Sequence, residues 1–141
     1  MATVGLCLIT KNLGPQLSTY IDTLRTHVDE VYIQVNGGSH PVYKWNDDFA
    51  AARNANFAQA ETDYIVWLDS DDVLRHPENI RKVVDHMEAN NLDIVFADYI
   101  YAQENGIPTE VQRRERFIKT GTPGKWVGRV HETFIPDGSC N

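Results

Sequence analysis

The 141-residue chain has no run of about 20 apolar residues, the length a helix needs to cross a bilayer. Its first apolar stretch is only Val4 to Ile9, and no basic residue precedes it. That stretch is expected to be a strand rather than a signal peptide, which implies a cytoplasmic protein. Cysteine is scarce: Cys7 lies in the apolar run and Cys140 next to the last residue, so no disulfide framework is expected. Positive charge is also short. Thirteen Lys and Arg against twenty Asp and Glu leave a net charge of -7, which argues against general nucleic-acid binding. Repeats, low-complexity segments and linkers are missing too, so residues 1–141 read as one domain long enough for a core. The 42% hydrophobic and 23% charged content is that of a globular protein.

What the chain does have is the stretch Tyr64 to Leu74, YIVWLDSDDVL. Its apolar half is β-branched and aromatic and reads as a buried strand. Asp69, Asp71 and Asp72 follow at the strand's carboxyl end, where ligands bind in open α/β sheets. Three carboxylates this close repel one another, and a bound cation would compensate. Asp69 and Asp71, two apart, can aim at one ion. The alternative is an acidic turn in which Asp72 caps the next helix, opened by Pro77.

Around that stretch strands and helices alternate. Val4 to Ile9 is the first strand, followed by a helix from Pro15 with Leu17, Ile21, Leu24 and Val28 on one face. Val31 to Val35 is the second strand, closed by the turn cluster Asn36-Gly37-Gly38-Ser39. Asp47 or Asp48 caps a helix carrying Phe49, Ala52, Phe57 and Ala60. After the acidic loop come a helix from about Pro77 to Ala89 and a fourth strand, Asp93 to Tyr101. Such alternation predicts an α/β fold of three layers, a mostly parallel central sheet with flanking helices. The pattern breaks after Tyr101: Glu104 to Thr109 is expected to be a turn. Short strands are expected at Arg116 to Ile118 and Thr133 to Ile135, with Gly121, Pro123, Gly124 and Gly128 in a loop between them.

Six basic residues, Arg113, Arg114, Arg116, Lys119, Lys125 and Arg129, lie between Arg113 and His131, opposed only by Glu115. A basic segment beside an acidic loop suits a ligand that carries phosphates and a cation; a solvated basic face is the plainer alternative.

Four stretches, LCLITKN, VYIQVNGGS, DDFAAARNANFAQAETDYIVWLDSDDVL and KWVGRVHE, occur in this order. Together they resemble family 2 glycosyltransferases of the GT-A fold, the last resembling a late Trp…Val-His-Glu element of one bacterial branch. The resemblance implies a Rossmann-like nucleotide-sugar-binding part over 1–101 and a short, compact, basic C-terminal part over 102–141. It implies inverting, metal-dependent transfer of a sugar from a nucleotide-diphosphate donor, with a UDP-sugar favoured, to an acceptor hydroxyl of a glycan, lipid-linked or other molecule. Mn²⁺ or Mg²⁺ would be held by Asp71 and Asp69, with His131 completing the shell or touching the diphosphate. Thr10, Asn12 and Asn36 would read base and ribose, Asn36 standing where the family commonly has an aspartate. Arg53 would reach base or diphosphate, or else pair with Asp47 or Asp48 on the helix surface. Lys119 and Arg129 would contact phosphates. Trp126 would stack on a sugar or close the core. Glu132 is expected as the catalytic base, with Asp98 as the second candidate.

Two other functions fit parts of the sequence. Asp69-Ser70-Asp71-Asp72-Val73 also matches the loop of haloacid-dehalogenase-type phosphohydrolases, in which the first Asp is a nucleophile. That loop, however, normally follows the first strand. A non-catalytic module that binds nucleotide sugars or glycans is the other.

Overall fold

A computed structural model describes residues 2–11, 13–35, 49–128, 132–138 and 140–141. Strand β1 (Val4–Thr10) leads into α1 (Pro15–Leu24) and a short 3₁₀ turn, then β2 (Glu30–Val35), α2 (Phe49–Phe57), β3 (Tyr64–Asp69) and α3 (Asn79–Asn90). The second half is all strand: β4 (Ile94–Glu104), β5 (Ile107–Lys119), β6 (Gly124–Val127) and β7 (Thr133–Pro136).

The main sheet has the order β2-β1-β3-β5-β4. Strands β2, β1 and β3 are parallel, and β5 runs antiparallel to both β3 and β4. The fourth strand therefore points the expected way but sits at the edge, with β5 inserted beside β3. The expected turn over 104–109 shrinks to Asn105 and Gly106, with φ of 51° and 77°. Asn-Gly accepts left-handed backbone at both positions, the geometry of a tight hairpin turn, so the strands run long on either side. The segment read as a separate C-terminal part thus supplies a strand to the middle of the sheet.

Side-chain alternation builds three layers, as expected. Val4, Leu6, Leu8, Tyr64, Val66 and Leu68 face α1 and α3, meeting Ile21, Leu24, Ile80, Val84 and Met87. Cys7, Ile65 and Trp67 face the other way, toward α2 and the small β6–β7 sheet. There Trp126 stands edge-on to Trp67, Phe57 and Phe134. Asn54 brackets the Trp126 backbone, donating to its carbonyl and accepting from its N–H. Trp126 is 2% exposed, so it closes the core.

Helix α2 turns polar as well as small apolar residues toward the sheet. Phe49 is 39% exposed, while Arg53 and Asn56 are fully buried. The helix packs a polar stripe against the sheet, because carboxylates beneath it supply partners for a buried guanidinium. Helix α3 begins at Asn79, two residues later than expected, and Pro77 lies in the turn before it. Its N-cap position is Glu78, not Asp72. Gly5 is required where it stands: a Cβ there would lie 2.5 Å from Thr62 Oγ1 and 2.6 Å from the Tyr32 ring. Among the described residues no helix is long and apolar enough to cross a membrane.

Candidate active site

The acidic loop leaves the carboxyl end of β3 in the middle of the sheet, and two buried arginines hold it from below. Asp69 Oδ1 accepts from Arg53 Nη2 at 2.6 Å. Asp72 Oδ2 accepts both from the Asp69 backbone N–H, at 2.8 Å, and from Arg116 Nη1, at 2.9 Å. The Asp72 N–H in turn donates to the Asp69 carbonyl, closing the turn. Farther on, the Leu74 N–H donates to the Tyr20 hydroxyl. Asp72 therefore organises the loop, and the capping role expected for it is corrected. Carboxylate oxygens of Asp69, Asp71 and Asp72 lie within 4.8 Å of one another, with Asp71 the exposed member. Burial raises the Tyr99 hydroxyl above its ordinary pKa of 10.0, and the negative charges of Asp72, Asp71 and Asp69 add to the shift. Tyr99 thus lies in the field of the loop.

The floor of the site is Trp67, fully buried, with the guanidinium carbons of Arg53 and Arg116 at 4.0 and 4.1 Å from its ring centroid. Its indole N–H donates to the Glu115 carbonyl. Glu115 accepts from Arg114 Nε and from the Thr133 hydroxyl, and Arg114 Nη2 donates to the Glu132 carbonyl. Glu132 Oε1 accepts from Arg53 Nη2 at 2.7 Å and from its Nε at 3.3 Å. Three guanidiniums thus face five carboxylates, leaving an excess of two negative charges in formal terms. An all-oxygen donor set with that surplus fits one hard divalent cation. Cys7, beneath Arg53, is no nucleophile, because burial pushes its thiol up to about 12.

The structure brings some expected residues together and separates others. Asp69, Asp71, Arg53 and Glu132 converge. Arg53 is not on the helix surface, and its partners are Asp69 and Glu132. Thr10 ends β1 beside β2 and is 5% exposed. Lys119 pairs with Tyr64 at the amino end of β3, five residues from Asp69, roughly 16 Å along a strand. Asp98 lies on edge strand β4, its side chain 68% exposed and 3.5 Å from Arg113. Its neighbour Tyr99 faces the acidic loop, so by strand alternation Asp98 points to the other face. Asn12, Asn36, Arg129 and His131 lie outside the described residues, as do Asp47 and Asp48. Trp67 had no role from sequence, and Arg116 figured only in the basic segment suited to phosphates, whereas its partner is Asp72. The available signal was a charged residue flanked by buried ones at 115–118, which demands a buried counter-ion.

An α/β sheet with an acidic loop at its carboxyl edge defines a class, that of domains whose ligand site lies beyond the strand ends. Residues 42–140, more than half of the chain, match the family described as Glycosyl transferase family 2, and the chain belongs to that family. The mixed sheet with helices on both faces fits the GT-A fold. The chain is also similar to a TPR repeat-containing protein of Synechococcus elongatus, with 31% identity covering 63% of this chain. It spans 26% of that relative's length. The family supports a glycosyltransferase domain in general over the phosphohydrolase alternative.

Proposed function

We propose that the chain carries the donor site of a metal-dependent, inverting glycosyltransferase of a bacterial branch. It would take a nucleotide-diphosphate sugar, with a UDP-sugar favoured, and deliver the sugar to an acceptor hydroxyl. The observation that carries this reading is the acidic loop at the carboxyl end of β3, in a cluster of five carboxylates and three guanidiniums with two surplus negative charges. Asp71 and Asp69 would hold Mn²⁺ or Mg²⁺, with His131 as a further ligand. When bound, the cation would offset the charge that develops on the departing diphosphate.

The chain's own groups would do the rest. Thr10, Asn12 and Asn36 would bind base and ribose, with the Asn36 side-chain carbonyl accepting from a uracil N–H. Arg129 would meet the phosphates. Arg53, enclosed beneath Asp69, would orient that carboxylate rather than meet the donor. Glu132, 8% exposed with Oε1 taken by Arg53, would anchor Arg53 in place of acting as base. Free Cys7 and Cys140 suit a reducing cytoplasm.

Calorimetric titration with uridine diphosphate, with and without Mn²⁺, tests this reading. Binding that requires Mn²⁺ and is lost in Asp71→Asn is expected. At a hundred times the dissociation constant the ligand should stabilise the protein by about 2.7 kcal/mol. Binding of cytidine or guanosine diphosphate in place of uridine diphosphate would overturn the base assignment. Parental Mn²⁺-dependent binding in Asp71→Asn would overturn the metal assignment.

A further inference from the structure

Arg116 sits at an irregularity in the sheet. Strand β4 pairs Val95 with Phe117 and Phe96 with Glu115, so Arg116 is an extra residue without a partner on β4. A bulge of this kind re-aims a side chain and is common beside active sites. Here the re-aimed guanidinium lies 4.1 Å from the Trp67 ring centroid and 5.1 Å from that of Tyr99. Its Nη1 donates to the Trp67 carbonyl, at 3.3 Å, and to Asp72 Oδ2. Both ends of this ion pair are nearly enclosed, at 10% and 8% side-chain exposure. The same Asp72 oxygen receives the Asp69 backbone N–H. Arg116 is thus linked to Asp69 by one carboxylate, and Asp71 is suspended between the two tethered residues.

We propose that Arg116 is a positioning residue for the cation site, acting through Asp72 to fix where the Asp69 and Asp71 carboxylates converge. The inference rests on the metal reading above and adds to it a division of labour among the three acids. Asp72 is withdrawn from ligation by a buried guanidinium, Asp69 is oriented toward the ion by Arg53, and Asp71, the most exposed of the three, completes the pair. Trp67 is the flat spacer against which both guanidiniums lie. An arginine suits this place because its planar fork both stacks on the ring and donates within the site. A lysine ammonium carries the charge without the plane.

The test measures Mn²⁺ binding by electron paramagnetic resonance, alone and with uridine diphosphate, well below the melting temperature of each protein. The proteins are the parental chain, Arg116→Lys, Arg116→Met and the pair Arg116→Met/Asp72→Leu. Arg116→Lys should weaken Mn²⁺ binding by about 10- to 100-fold, the range seen when groups that orient metal ligands are lost. Arg116→Met alone leaves Asp72 buried and unpaired and should melt earliest. The paired substitution removes both charges and should recover melting temperature. It still lacks the acceptor for the Asp69 N–H, so its Mn²⁺ binding should stay weak. Parental Mn²⁺ affinity in Arg116→Lys, or in the paired variant, would overturn the positioning role. A parental chain that binds no Mn²⁺ under either condition would overturn the metal reading itself and this inference with it.

Discussion

Glu132 shows how burial decides what a carboxylate can do. A general base must reach the acceptor hydroxyl within about 2.6–3.2 Å. Glu132 instead spends Oε1 on two N–H groups of Arg53, a side chain with 1% exposure. Among the described residues Arg53 Nη1 has no hydrogen-bond partner, and the pairs made by Nη2 and Nε offset its desolvation. Glu132→Gln keeps the shape and an acceptor oxygen but removes the charge. We expect it to cost about 1–3 kcal/mol of stability, lower the melting temperature and weaken Mn²⁺-dependent nucleotide binding together. Unchanged melting and donor affinity with transfer alone abolished would return Glu132 to the role of base expected from sequence. Asp98 is the poorer candidate for that role, because its strand position turns it away from the loop.

At the level of elements, the entry to β1 is set by two acids at the opposite end of the sheet from the site. Asp29 Oδ2 accepts from the Val4 backbone N–H and from Arg81 Nη2. Asp63 Oδ2 accepts from the Thr3 backbone N–H and hydroxyl. The Val4 amide chiefly, then Arg81, holds Asp29 below the ordinary 3.8, and the Thr3 groups do the same for Asp63. A carboxyl whose folded pKa is depressed contributes stability above its unfolded pKa and loses it as pH falls through the folded one. These clamps should therefore act fully above about pH 5 and fade below about 3.8. In Asp29→Asn the melting temperature should fall at pH 7, and the gap from the parental protein should narrow toward pH 3. A gap that is the same at both pH values would exclude the carboxylate as the cause.

For the whole molecule, the reversed strand β5 decides what faces what. It carries Arg116 to the acidic loop and Arg114 to the Trp67 ring but takes Lys119 to the amino end of β3. Lys119 there lines an open cavity of about 460 Å³ with Thr120, Gly121, Lys125 and Phe134, toward the amino end of β3 and away from the acidic loop. Lys119→Ala should therefore change the affinity for uridine diphosphate and Mn²⁺ by less than about twofold, since charges beyond a Debye length of roughly 8 Å are screened. A tenfold loss would show that the lysine reaches the phosphates.

Much of this molecule was legible in the order of its residues. The alternation in Val4 to Ile9 and Tyr64 to Leu68, the helical spacing of Ile80, Val84 and Met87, and the acids after Leu68 depend on neighbours in the chain. Local periodicity therefore placed three parallel strands, two of their helices and the loop. The Asn105-Gly106 hairpin was equally local: the turn expected over Glu104 to Thr109 contains it, though the strands run closer on both sides. What only the tertiary structure decided is which charges meet. Arg53 and Glu132 are 79 residues apart, and Arg116 and Asp72 are 44 apart. Buried charges must find counter-ions wherever the sheet brings them, and no spacing rule reports a partner that arrives on a reversed strand. The sequence could name the carboxylates, but only the packing of Arg53 and Arg116 against Trp67 separated the enclosed Asp72 from the more exposed Asp69 and Asp71.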